Sequence, residues 1–517
     1  MPANYKHVHN DRNRRPKALL RLGALLALMV INSVEMPKNK NYIRPLLFIG
    51  ILGLAVYLRV HSLNRGVWYD EYSSLQLAQA ADFWSASKNY DHPPLFFYLL
   101  RHWSSFNHVT WFLRLLSVVF SVASVIVFAL WLRLLLPEAS IWGALLAATS
   151  PGLLFFSQEI RQYSLLTFCC LTAVFFLEKS LQSEERKLKF NLFLFSLFLV
   201  LAVSTHLVAV FLLPGVLAYC LADRERIKRS LFVKIVFCEI WPALAFIYYY
   251  YFHLMAWQYG SSASWWMPKP GPQLILSNLI EFTGLPQMAS GVSAMPHILH
   301  SAGRLLFFVA LGFLVWSGSY GNIRLVKKPL CLFLGAYIPL VLYSYFFTPV
   351  LTSRTTLFML PFVLAVIALM LASIESQKIK AVAAFSLSYF CMLAALNWVI
   401  LEAPYERVPW TGLTEAFLNS VKQDSPEKFI ISGYPHDTRT MLMYKTNRQF
   451  QKNMIPPEEF QCKIFADRSL YFLLQQRRFL TDRELKDSSD FMQRFSDCYD
   501  NKELIFNKRG LKLYKFH

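Results

Sequence analysis

Charge is scarce in this chain. Only 16% of its 517 residues are Asp, Glu, Lys or Arg, against about 25% in an average soluble domain. Acidic residues are the rarer kind, 32 against 52 basic ones. So little charge excludes an ordinary soluble multi-domain protein. The eight cysteines show no CxxC and no Cys/His ligand spacing, which excludes a zinc site built on cysteines. Six of them (Cys169, Cys170, Cys220, Cys238, Cys331 and Cys391) lie in apolar runs and read as packing residues. There is no internal repeat and no low-complexity tract.

Hydrophobic residues make up 55% of the chain, aromatics 16%, and mean hydropathy is +0.35. Many apolar runs reach about 17–25 residues, enough to cross a hydrocarbon core about 30 Å thick. The expected fold is an all-α polytopic membrane protein with about eleven spans, near 44–60, 111–136, 140–157, 163–181, 190–204, 206–222, 231–252, 302–320, 329–348, 356–373 and 380–401. Lys and Arg set its orientation. They gather around Lys179 to Lys189, Arg224 to Arg229, Arg324 to Lys328, and Lys378 with Lys380, so these loops are expected inside. Residues 1–43 form a cytoplasmic N-terminal segment. Its short apolar run 19–34 contains Arg21 and reads as interfacial, and Met36 is an alternative start. The loops 61–110 and 253–301 and everything after residue 402 are then exterior. The formal charge of +20 follows from the same bias, and no nucleic-acid partner is expected.

The composition changes after Leu401. Residues 402–517 are polar and read as a small α/β exterior domain, with strands at KFIISG and LKLYKF and an amphipathic helix at 411–422. Cys462 and Cys498 share this tail, where a disulfide could persist.

The exterior loops hold the polar residues that could carry chemistry. Asp70 and Glu71 are adjacent carboxylates just past a span, where one could serve as a general base; the plain alternative is a solvated turn. His92 sits in Asp91-His92-Pro93-Pro94, a segment stiffened by its prolines. Ser157-Gln158-Glu159-Ile160-Arg161-Gln162-Tyr163 crowds Glu159 and Arg161 into a short connection, and Arg161 has the fork that suits a phosphate. A snorkelling arginine is the competing reading there and at Arg354. His206 lies at another exterior hairpin. The charge rule assigned the topology without these motifs, and all of them fall on one face.

In this order, WYDE, DHPPLFFYLL, FLRLLS, SPGLLFFSQEIRQYSLL and TSRTTLFMLPF resemble the motifs of GT-C glycosyltransferases. The resemblance covers roughly residues 44–400 and is nearest to dolichyl-phosphate-mannose protein mannosyltransferases, aminoarabinose lipid A transferases and bacterial galacturonosyltransferase-like relatives. It implies a GT-C catalytic domain over 44–401 and an inverting glycosyltransferase of the bacterial inner membrane, with its site on the periplasmic face. The donor would be a polyprenyl-phosphate sugar and the acceptor a glycan, lipid or protein. Asp70 would be the acceptor-activating base and Glu71 its neighbour. His92, Arg161 and Arg354 would hold the donor phosphate, with Glu159, Tyr163 and His206 in support. Thr355 follows Arg354 where the family commonly has tyrosine, which weakens that last assignment. No cofactor is expected; a divalent metal beside Asp70 and Glu71 is the alternative, although two carboxylates are a thin ligand set. Rival readings are a flippase or transporter of lipid-linked sugars, which would place ionisable residues in mid-span and break helices near the midplane, and an O-antigen ligase or polymerase.

Overall fold

The computed structural model describes residues 43–88, 90–251, 269–281, 323–397, 410–421, 429–434, 437–446, 449–460, 468–475, 482–499, 501–508 and 511–517. The chain divides into two compact units, one of 1–63, 74–287 and 295–404, the other of 64–73, 288–294 and 405–517.

The first unit is helical. Its elements are α1 (Ile43–Val60), α2 (Tyr69–Ala78, whose first residues belong to the second unit), α3 (Phe83–Lys88), α4 (Leu95–Ser104), α5 (Thr110–Leu135), α6 (Ala139–Thr149), α7 (Pro151–Ser157), α8 (Tyr163–Leu181) and α9 (Glu185–Thr205). They are followed by a 3-10 turn (Leu207–Phe211), α10 (Leu212–Ala222), α11 (Arg229–Tyr249), α12 (Pro272–Glu281), α13 (Ile323–Phe346), a second 3-10 turn (Leu357–Met359), α14 (Leu360–Ala372) and α15 (Gln377–Asn397). Every expected span within the described residues falls on helix; 302–320 lies outside them. By length and hydropathy, five of the described helices could cross a membrane, or six if a bent pair counts as one span. The chain is thus an integral membrane protein with several apolar helices.

The bent pair corrects the sequence reading. The span expected at 140–157 is two helices, α6 and α7, meeting at 55°. Proline explains the break. Pro151 removes one backbone donor and pushes the preceding residue out of the α region, and Ser150 accordingly sits at φ −57°, ψ 118°. Elsewhere close packing depends on missing side chains. A Cβ on Gly215 of α10 would come 2.7 Å from the Leu332 carbonyl of α13, and one on Gly335 would come 2.9 Å from the Pro214 carbonyl, so these two helices touch backbone to backbone.

Lys328 is a second correction. It was expected in a solvated inner loop, yet it is buried in α13. Its Nζ lies 2.6 Å from Glu178 Oε2 and 3.5 Å from an Asp223 oxygen. Tyr219 donates to the same Glu178 oxygen at 2.5 Å, and Gln182 donates to the other at 2.7 Å. Ionisable groups therefore do not collect at one face only; this knot ties α8, α10 and α13 together with its charges paired internally.

The second unit contains a four-stranded sheet of β1 (Phe429–Tyr434), β2 (Ser469–Gln475), β3 (Lys502–Lys508) and β4 (Leu511–Phe516), in the order β1-β2-β4-β3. The β1 and β2 strands run parallel, and β4 is antiparallel to both β2 and β3. The unit also holds α16 (Trp410–Val421), α17 (Asp437–Lys445) and α18 (Asp482–Ser496). Strand alternation builds its core. Leu470, Phe472 and Leu474 point to one side and pack with Phe460, Phe495 and Phe516. Cys498 is disulfide-bonded; Cys462, its expected partner, lies outside the described residues. Cys169, Cys170, Cys220, Cys238 and Cys331 are free thiols.

Candidate active site

Two reciprocal contacts shape the connection that carries Arg161. Arg59, fully buried in the last turn of α1, sends its guanidinium across to the end of α6. It donates to the carbonyls of Ala147 at 3.0 Å and Ala148 at 2.9 Å, to its own-helix Ala55 carbonyl at 3.2 Å, and to Ser121 Oγ at 2.8 Å. The last carbonyls of a helix lack intrahelical partners and carry its negative dipole end, so a cation there is doubly favoured. Gln158 returns the contact. Its amide nitrogen donates to the carbonyls of Leu58 (3.2 Å), Arg59 (2.9 Å) and His61 (2.8 Å), the end of α1. Ser62, at φ 60°, turns the chain out of α1 at that point. Each helix end is capped by a side chain of the other segment, and the residues after Gln158 inherit a fixed starting point.

Arg161 is buried, not snorkelling. Its Nη1 donates to Ser74 Oγ at 3.1 Å and to the Tyr90 hydroxyl at 3.2 Å, while Nη2 lies 3.0 Å from His92 Nε2. A guanidinium only donates, so His92 Nε2 is the acceptor and a neutral His92 carries its proton at Nδ1. Asp91 lies 3.6 Å from the same Nε2, too far for a good hydrogen bond. The His92 and His206 rings are 4.8 Å apart, and Tyr163 stands 6.1 Å from His206 with its ring 5.8 Å from the Arg161 guanidinium carbon. Ser117 holds the Arg161 carbonyl at 3.3 Å. His92, Arg161, Tyr163 and His206 lie together, joined by Ser74 and Tyr90, which sequence reading missed. Glu159 is buried in the same connection. Gln162 is fully buried, and neither amide atom has a hydrogen-bond partner among the described residues.

Asp70 and Glu71 lie in the first turn of α2 and are described with the second unit. Asp70 is partly buried and Glu71 fully buried. Glu71 accepts from the Trp68 backbone N–H at 3.3 Å, the reach-back half of a capping box. Arg354 is partly buried ahead of the second 3-10 turn. Among the described residues no group of three or more His, Cys, Asp or Glu side chains is arranged for a metal ion.

The fold that carries this site is shared with solved membrane-protein structures. Residues 91–249 match the model of the family described as dolichyl-phosphate-mannose-protein mannosyltransferase. Among solved structures, the chain is similar to ArnT from Cupriavidus metallidurans in the apo state, with a TM-score of 0.57, 10% identity, and coverage of 91% of this chain and 97% of that one. ArnT bound to undecaprenyl phosphate gives 0.53 and 11%, over 92% and 98%. The oligosaccharyltransferase of Archaeoglobus fulgidus in the apo form gives 0.52 and 11%, over 85% and 70%. No curated protein matches the chain in sequence. The family model thus matches one stretch of the chain, and the solved structures share its fold.

Two outcomes test this geometry. Arg59→Met should leave the α6 carbonyls buried without donors, at about 1–3 kcal/mol each. A clear drop in melting temperature in detergent is expected, only partly restored by Lys, which lacks the planar fork; an unchanged melt would contradict the capping role. The second concerns acid. Burial above all holds the pKa of His206 well below its usual 6.5, and its Nδ1 accepts from Val208 N–H at 3.3 Å. The unfolded chain takes up this proton below about pH 6.5 and the folded chain does not, so stability present above that pH is lost as pH falls. Melting curves between pH 7.5 and 5.5 should show this loss, and His206→Gln should remove part of it. An identical pH dependence in the variant would rule the effect out.

Proposed function

We propose that this chain transfers a sugar, with inversion, from a polyprenyl-phosphate donor to an envelope glycan, lipid or protein on the exterior face of the bacterial inner membrane. The observation that carries the reading is Arg161, a buried guanidinium fixed by Ser74, Tyr90 and His92, in a chain whose fold resembles that of a structure holding undecaprenyl phosphate. When the anomeric carbon leaves its phosphate, the electron pair stays on the phosphate oxygen. A preoriented cation in a buried setting stabilises that growing charge at little reorganisation cost. His92 could add the Nδ1 proton of its neutral ring, and Arg354 a second cation.

The acceptor hydroxyl forms the new bond to that carbon and loses its proton to Asp70. Two things support the base assignment: the resemblance of WYDE to the family motif, and the partial exposure of Asp70 while Glu71 caps its own helix. The buried amide of Gln162 offers one donor and one acceptor to a sugar hydroxyl. No metal is needed, since Asp70 and Glu71 make a poor ligand pair.

A flippase is the second reading, and the broken α6–α7 pair is the feature that favours it. Purified protein with a synthetic polyprenyl-phosphate sugar separates the two. Asp70→Asn should bind the donor but turn over about 10²–10⁴-fold slower. Arg161→Ala should raise the donor KM and lower kcat, because it removes charge stabilisation that grows in the transition state, and Lys should rescue only in part. A fully active Asp70→Asn enzyme removes the base assignment; lipid movement without transfer makes the chain a flippase. Orientation is tested separately: a phosphatase reporter fused after Leu401 should be active and a cytoplasm-only reporter silent, and the reverse pattern would put the site on the wrong face.

A further inference from the structure

A cleft of about 440 Å³ runs between α9 and α11, lined by Leu192, Phe193, Val233 and Phe237, with Lys189 and Lys234 among its walls. We propose that it binds an anionic glycerophospholipid, with an acyl chain in the apolar channel and the phosphate between the two lysines. This inference is independent of the catalytic reading.

The two helices run in the same direction. Lys189 shares the cleft with Val233 and Lys234, and seven residues further along α9 Ser196 donates to the Cys238 carbonyl at 2.9 Å. Counting back at 1.5 Å per residue puts Lys189 about 10 Å and Lys234 about 6 Å from that bond, on the same side. The backbones of the two lysines therefore lie within about 4 Å of one level near the starts of both helices. Neither has an ion pair or side-chain hydrogen bond among the described residues, and Glu184 and Glu185, the nearest acids on α9, are not bonded to them. Below the lysines the walls are apolar and turned outward. Phe193 is 60% exposed, Phe237 61% and Val233 57%, on two helices long and apolar enough to span a membrane.

An outward apolar face on such helices meets acyl chains. Two cations at one depth above it select a lipid with a negative headgroup, because basic pockets between spanning helices recognise anionic phosphates. The volume is that of a small-molecule site. A zwitterionic lipid fits the channel equally well but brings its own cation towards the lysines.

The test is native mass spectrometry of the purified full-length protein in neutral detergent, titrated with phosphatidylglycerol or phosphatidylcholine of matched chains. Wild type should retain phosphatidylglycerol preferentially. Lys189→Gln and Lys234→Gln should each weaken that retention about fivefold and leave phosphatidylcholine unchanged. Arg at both positions should keep the preference, and Lys187→Gln, on the same helix outside the cleft, should have no effect. The proposal is overturned if wild type retains both lipids equally, if the Lys189→Gln/Lys234→Gln pair keeps the preference, if Lys187→Gln loses as much, or if inorganic phosphate alone displaces the lipid at equal concentration.

Discussion

The first unit depends on one exchange of helix caps. Arg59 closes the end of α6 and Gln158 closes the end of α1. Pro151 breaks the helix between them, and a break inside apolar surroundings orphans carbonyls that no water can reach. A single guanidinium takes two of these carbonyls and binds Ser121 of α5 as well. The break is tolerable because the cation is there. The cation in turn is tolerable in the interior because four oxygens surround it.

The position of Arg161 follows from that exchange. Three residues after Gln158 the chain has little freedom left, and Ser117 fixes the Arg161 carbonyl from α5. Its head group then reaches Ser74 on α2 and His92 just before α4. Precision at a reacting phosphate needs side chains held to within about half an ångström. Here the holding is done by helix ends and not by the loop itself.

Hydropathy made the helices legible, since each span is a local property of its own residues. Two of the four tail strands were legible for the same reason: the apolar run of KFIISG and the alternation of LKLYKF need no distant partner. The break at Ser150-Pro151 was written in the sequence as a serine before a proline, but a continuous apolar run masked it. Arg59 was missed because an arginine at the end of a span reads as a snorkelling group, and its partners outside its own helix are 62 to 89 residues away. Lys328 was misread for the same reason, as its carboxylate lies 150 residues back. Ser74 and Tyr90 carried no signal at all, since a lone hydroxyl becomes a site residue only when the fold brings a guanidinium to it.

Three of the buried cations have three different environments, and the environments separate scaffold from site. Arg59 is held mainly by backbone carbonyls, which have no rotamers and cannot give way to a ligand. Lys328 is neutralised by Glu178 and Asp223 inside the bundle, so an incoming anion would have to displace a carboxylate. Arg161 is held by a serine, a tyrosine and a histidine. Such partners can rotate aside and let phosphate oxygens take their places on the same fork. Its contacts to Ser74, Tyr90 and His92 can be exchanged without opening a helix end, which supports the proposal that a substrate charge binds there.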